Sequence, residues 1–187
     1  MNTENVVSRG YYKIEGAARA FNFDFRGKTV LDIGSSTGGF TEYALRQGAI
    51  KVIAVEKGTN QMKAPLRFDP RVELHEKTDI FKFTCTPDII VADVSFISLT
   101  KILKYATIKL THPKTEFLVM LKPQFEAHSD ELVKGVVKNE KIRRRIIKSF
   151  EFWLKTNGFL ILGKHDNDLP GRTGNRERFY HLALAKR

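Results

Sequence analysis

A single cysteine, Cys85, is the only thiol in the 187 residues, so the chain can close no internal disulfide and build no thiolate cage around a metal. Apolar runs are short as well. The longest are of the Phe117–Leu121 kind, five residues, against the about 20 that a bilayer-spanning helix needs. His75, His112, His128, His165 and His181 are scattered without the spacing of metal ligands, and the opening Met1-Asn-Thr-Glu-Asn5 has neither the basic nor the apolar stretch of an export signal. These absences lead us to expect a cytoplasmic setting, no metal and no integral membrane contact. Acidic residues are also scarce: 21 against 32 basic ones, a formal net charge of +11. A pI near 9.8 points to a polyanion partner, nucleic acid ahead of an anionic membrane surface.

The imbalance lies in one half of the chain. Residues 1–93 carry 13 basic and 12 acidic side chains, residues 94–187 carry 19 and 9, so the polyanion contact is expected mainly on the C-terminal half. Its densest stretch is Lys138–Lys148, including Arg143, Arg144, Arg145 and Lys148. Ile142, Ile146, Ile147, Phe150, Trp153 and Leu154 fall on one helical stripe, which predicts that the arginines point outward. Such a face can simply be solvated, or it can bind phosphates.

Short β-branched runs alternate with helical stretches, and no repeat or low-complexity tract interrupts them. Strands are expected at 29–33, 51–55, 88–92, 116–121, 159–162 and 179–185, with a weaker one near 72–74. Helices are expected at about 10–22, 38–47, 97–110 and 138–157, the last stopped by Asn157-Gly158. Near-continuous Val/Ile/Leu strands suit burial on both faces, hence an α/β three-layer domain around a mostly parallel sheet. The last two strands have only the turn-rich Leu169–Asn175 between them, which predicts an antiparallel final strand. The pattern suits one Rossmann-like domain of the methyltransferase type over residues 1–187, with 1–7 as a flexible leading segment.

The first strand runs into the turn Gly34-Ser35-Ser36-Thr37-Gly38-Gly39-Phe40, where a glycine-rich backbone at the carboxyl end of a central strand can approach a ligand closely. The spacing is neither G-x-G-x-x-G nor a P-loop. Asp32, beside the turn, would repel a pyrophosphate and favour a cationic ligand. S-adenosyl-L-methionine, with an ammonium and a sulfonium, fits better than NAD. Glu56, ending the second strand, stands where an acid accepts ribose hydroxyls. Asp93 and Lys122 follow two adjacent strands and should meet at one sheet edge, where Lys122 abuts buried apolar chain. A structural ion pair is the alternative reading.

Five strings carry a resemblance to a known family: Ser8-Arg-Gly-Tyr-Tyr-Lys13, Asp32–Thr41, Asp93-Val-Ser-Phe-Ile-Ser-Leu99, Lys122-Pro-Gln-Phe-Glu126 and Gly174-Asn-Arg-Glu177. In this order they resemble the TlyA (haemolysin-A-like) branch of the FtsJ-type ribose methyltransferases, over about residues 7–185. The resemblance implies methylation of ribose 2′-hydroxyls in ribosomal RNA or ribosomal subunits. It also implies a catalytic set of Lys13, Asp93, Lys122 and Glu177, and adds Asp79 and Asp93 to the cofactor contacts. Members of this branch typically carry an N-terminal RNA-binding module that precedes the stretch matched here. Glu56-Lys-Gly replaces the more usual Asp-Val-Gly, and Asp79 stands where asparagine is common.

A ribose hydroxyl is a weak acid, so transfer gains from a base and from alignment. Lys122 is the expected base, with Lys13, Asp93 and Glu177 orienting and balancing charge. Two further classes stay open on the residues alone: a non-catalytic RNA-binding or assembly protein of the same fold, and a membrane-active haemolysin.

Overall fold

The computed structural model describes residues 6–171 and 174–185. One seven-stranded sheet, in the order β3-β2-β1-β4-β5-β7-β6, runs through it. In chain order the elements are α1 (Arg9–Phe21), β1 (Thr29–Ile33), α2 (Gly39–Arg46), β2 (Lys51–Val55), α3 (Ala64–Arg67), β3 (Val72–His75) and β4 (Ile89–Ala92). They continue with α4 (Leu99–Lys109), β5 (Glu116–Leu121), α5 (Glu140–Thr156), β6 (Phe159–Asp166) and β7 (Arg178–Leu184). Strands β3 to β5 pair in parallel, and β7 inserts antiparallel between β5 and β6. The expected architecture is therefore present.

Alternate residues of each central strand feed two separate cores. Phe117, Val119 and Leu121 pack with Leu103 and Ala106 of α4 and Phe150 and Leu154 of α5. Leu118 and Met120 face the other way, onto Ile14 and Ala17 of α1 and Phe40 and Ala44 of α2. A fully buried leucine such as Leu103 contributes about 2–3 kcal/mol of transfer free energy, and its truncation to alanine costs about 2–5 kcal/mol once the cavity is counted. Among the described residues no helix is long and apolar enough to cross a membrane.

Differences from expectation have local causes. Strand β6 continues to Asp166 because, at the sheet edge, it alternates exposed Leu160, Leu162 and Lys164 with half-buried partners and needs no apolar run. Helix α3 is too short to leave a helical period, though Pro65 sits in its first turn as helix starts favour. Of the leading segment expected to be flexible, residues 1–5 lie outside those described, as do 172 and 173 of the Leu169–Asn175 connection and 186–187. Val6 and Val7 pack against the α1–α2 core, and the Val7 N–H donates to Glu42 Oε2 at 2.8 Å.

One expectation fails outright. Arg143 does not point outward: it lies one turn before Ile146 and Ile147 on the buried stripe of α5, and its side chain is 7% exposed. Its guanidinium donates to Asp166 Oδ1 at 2.7 Å and to the Arg176 carbonyl at 3.2 Å. Burial works against the Asp166 charge, but the Arg178 and Arg143 guanidinium groups hold its carboxyl down at about 2. The stripe read from the sequence placed Ile142 inward; the helix is rotated enough to bring Arg143 in, and a salt-bridged arginine tolerates that position where a lone one would not. Arg144 and Lys148 are exposed with no ion-pair partner among the described residues, and Arg145 donates to Glu131 at 2.6 Å.

Candidate active site

The carboxyl ends of β1, β2, β4 and β5 open onto two adjoining clefts, of about 590 and 510 Å³. Ligand pockets of small molecules typically occupy about 300–1,000 Å³. The first cleft is lined by Ser36, Glu56, Asp79 and Asp93 among polar residues and by Val55, Ile80, Ile97 and Ile102 among apolar ones. The second holds Asp32, Ser35, Thr37, Gly39 and Phe40 from the glycine turn, together with Lys13, Asp93, Lys122 and Glu177. Gly34, Ser36, Asp93, Ser95 and Phe96 border both.

The turn is shaped by backbone constraints. Gly38 takes φ of 97° as it caps α2, a conformation that side-chain-bearing residues rarely adopt. A Cβ on Gly39 would stand 2.7 Å from the Tyr11 nitrogen, so only glycine lets the start of α2 press against the start of α1. That contact brings Lys13, on α1, to the ligand side of the sheet. Gly38 itself lines neither cleft; its part is to set the turn.

Three buried side-chain oxygens find no hydrogen-bond partner among the described residues, Asp32 Oδ1, Ser35 Oγ and Gln124 Oε1, and a fourth, Asp93 Oδ1, meets only the poorly aligned Lys122 ammonium. All four residues line the second cleft. A buried acceptor without a donor is costly, so these atoms fit a ligand rich in N–H groups or positive charge. Asp32 is the extreme case. Burial pushes its carboxyl up to about 7, Asp93 and Glu56 add to the rise, and hydrogen bonds from the Thr41 hydroxyl, at 2.7 Å, and from the Thr41 N–H oppose it. Among the described residues no group of three or more His, Cys, Asp or Glu could hold a metal ion.

The two lysines meet different acids. Lys13 Nζ lies 2.5 Å from Glu177 Oε2, joining the first helix to the start of the last strand. Lys122 Nζ lies 2.6 Å from Asp93 Oδ1, a charge contact without hydrogen-bond alignment, and donates instead to Ser95 Oγ at 3.0 Å. The Phe125 ring, 5.8 Å from Lys122 Nζ, covers it from a third side. In the first cleft both Glu56 oxygens accept main-chain N–H groups, from Ser36 at 2.9 Å and Gly58 at 2.7 Å, while Asp79 caps the turn at Phe81.

Several residues that sequence reasoning did not single out stand in the same place. Phe96 is 92% exposed on the rim common to both clefts, with φ of 65° and its ring 5.2 Å from that of Phe125. A phenylalanine in left-handed backbone is a strained exception, and nothing in a single sequence signals it. Ser95 and Gln124 fall inside quoted strings, yet their roles depend on a lysine rotamer and on burial. Arg9 reaches across the second cleft's edge to the Pro170 carbonyl at 3.1 Å.

Fold and site first define a class, the Rossmann-like methyltransferases for which S-adenosylmethionine is the implied methyl donor. An S-adenosylmethionine-dependent methyltransferase from Mesorhizobium loti shares the fold with a TM-score of 0.64 at 13% identity, over 90% of this chain and 96% of that one. The chain belongs to the FtsJ-like methyltransferase family, which matches residues 6–184, and within it to the TlyA (haemolysin-A-like) branch. It is 37% identical to the 16S/23S rRNA (cytidine-2′-O)-methyltransferase TlyA of Mycobacterium tuberculosis, over 94% of this chain and 68% of that protein. A provisionally named hemolysin from Streptococcus thermophilus superposes with a TM-score of 0.92 at 33% identity, covering 99% of this chain and 69% of the other. The chain thus spans about two thirds of the length of the curated relatives it matches.

Proposed function

We propose that this chain methylates ribose 2′-hydroxyls of RNA, ribosomal RNA above all, using S-adenosyl-L-methionine. The observation that carries the reading is the second cleft, where two lysine–carboxylate pairs and three further donor-seeking oxygens converge beside the glycine turn. S-adenosyl-L-methionine, when bound, supplies an electrophilic methyl group on a positively charged sulfur. Asp32, Ser35 and the turn from Gly34 to Phe40 hold its charged end, and Glu56 and Asp79 take its ribose and base in the first cleft.

Lys122 receives the proton of the attacking 2′-hydroxyl, which requires its neutral amine. Asp93 borders both clefts, and sharing its charge with a cationic ligand frees Lys122 to give up a proton beforehand. Lys13 and Glu177, bound to each other, orient the hydroxyl and keep the net charge of the cleft low. Phe96, backed by Phe125, offers an exposed ring on which the target base can stack once turned out of its helix. Arg144, Arg145 and Lys148 supply phosphate contacts on the C-terminal half; Arg143 does not, because it is buried. A ribosomal RNA substrate sets the place of action in the cytoplasm.

The test is to incubate the chain with methyl-labelled S-adenosyl-L-methionine and unmodified ribosomal subunits or their RNA, then map 2′-O-methyl nucleotides by mass spectrometry. A defined, enzyme-dependent site is expected. Cofactor binding with no methyl transfer to any ribosomal RNA would favour the non-catalytic assembly protein instead.

A further inference from the structure

Two loops carry the proposed chemistry, and the sheet does not lock them together. Residues 93–98 follow β4 and hold Asp93, Ser95 and Phe96; residues 122–126 follow β5 and hold Lys122, Gln124 and Phe125. Pairing between β4 and β5 stops at Ala92 and Val119, so the Lys122 turn extends past the last ladder bond with the Asp93 strand. Besides the Lys122 contacts with Asp93 and Ser95 and the Phe96–Phe125 ring contact, one further side chain bridges the gap and fixes the far end of the first loop. Glu126 closes the short turn Pro123–Phe125 and sends its carboxylate into the other loop. Its Oε2 accepts from Ser98 Oγ at 2.7 Å, and its Oε1 accepts from the Leu99 N–H at 2.7 Å.

Ser98 caps α4 with its own oxygen, accepting from the Thr100 N–H at 3.2 Å; since its hydroxyl donates to Glu126, the 2.7 Å contact with the Thr100 hydroxyl is one in which Thr100 donates. Between the end of the ladder at Ala92 and the Glu126-bound Ser98 lies Phe96 in its left-handed conformation, which persists only where surrounding contacts over-determine it. We propose that Glu126 is a positioning residue for Lys122, stapling the two loops so that the Asp93–Lys122 contact and the outward Phe96 ring are held in register. The inference rests on the methyltransferase reading above. The carboxyl is half-buried; burial raises its pKa, while the Ser98 and Leu99 donors pull it down by favouring the ionised form that accepts from both.

The experiment compares wild type with Glu126→Ala, Glu126→Gln and Ser98→Ala. Single-turnover methylation is followed against pH, S-adenosyl-L-methionine affinity by calorimetry, and the titration of Lys122 by NMR with lysine labelled at Cε. For Glu126→Ala the rate should fall about hundredfold, the loss expected for a displacement near 1 Å, while cofactor affinity stays within about threefold. The titration midpoint of Lys122 and that of the rate should both move.

Glu126→Gln should recover most of the rate and the wild-type midpoint, because the amide oxygen still meets the Leu99 N–H and the Ser98 oxygen can accept from the amide. Ser98→Ala, which removes one bond from the far side, should shift the midpoint in the same direction as the alanine variant and settles the matter should Glu126→Ala not fold. Unchanged midpoints in folded Glu126→Ala and Ser98→Ala would overturn the proposal. If wild type transfers no methyl group but the Lys122 midpoint still moves, the functional reading fails and the staple stands.

Discussion

Asp32 makes the pH dependence of this protein calculable. Its carboxyl is buried and titrates at about 7, whereas its ordinary value is 3.8. Between about pH 4 and pH 7 the folded chain therefore keeps a proton that the unfolded chain has released, and this group's contribution to stability declines as the pH rises through that window and levels off above it. About two of the three units fall between pH 5 and pH 8, worth about 3 kcal/mol at about 1.4 kcal/mol per unit. Asp32→Asn keeps the shape and an acceptor for Thr41 but cannot ionise. Relative to wild type it should gain about 3 kcal/mol on going from pH 5 to pH 8, on the order of 10 °C in melting temperature for a chain of this length. Urea or thermal unfolding of both proteins at a series of pH values measures this difference directly, because all other titrations are common to both. A cationic cofactor binds the ionised form, whose share rises from about one tenth at pH 6 to about nine tenths at pH 8. Wild-type affinity for S-adenosyl-L-methionine should accordingly tighten about tenfold, and that of Asp32→Asn should be weak and flat. Parallel stability curves for the two proteins, or a pH-independent wild-type affinity, would refute the reasoning.

Three further outcomes are expected. Lys122→Ala and Lys122→Arg should both lose about 10²–10⁴-fold in single-turnover methylation with cofactor affinity nearly intact, since arginine keeps the charge but not the capacity to act as base; an arginine variant within about tenfold of wild type would sink that role. Arg144→Glu with Lys148→Glu should weaken RNA binding and lower the slope of log affinity against log salt by up to about 0.9 per lost phosphate contact, whereas Arg143→Ala should leave the slope alone and cost about 3 kcal/mol of folding stability in urea titrations. Phe96→Gly should relieve the left-handed backbone, leaving the melting temperature equal or higher, yet weaken productive RNA binding by about 1–3 kcal/mol, the worth of one stacked base; equal RNA kinetics would remove the ring from the site.

Most of the framework is legible in the residues because each central strand is buried on both faces and so announces itself as a short apolar run. The order Asp32, Glu56, Asp93, Lys122 at successive strand ends follows from that reading, since parallel strands deliver their carboxyl ends to one edge. Lys13 and Glu177 are different: nothing in their local sequence pairs them, and only the family resemblance brought them together before the 2.5 Å contact did. Arg143 shows the opposite limit. Helical period placed it within one residue of the right phase, and that residue separates a phosphate ligand from a buried structural ion. Glu126 and Phe96 were out of reach because their significance lies in a side-chain hydrogen bond across two loops and in a backbone angle, neither of which leaves a periodic trace.

The Lys13–Glu177 contact joins residues 164 positions apart. Lys13 is synthesised well before its partner, and β7 must slot between β5 and β6, both of which precede it in the chain. Closing a loop of that length has an entropic cost set by chain length, and contacts this distant form late in folding. A chain in which β7 has not yet docked therefore holds the glycine turn and the Asp93–Lys122 pair but not the Lys13–Glu177 pair. The proposed site is complete only once β7 has docked, so folding of the last strand and assembly of the site are one event.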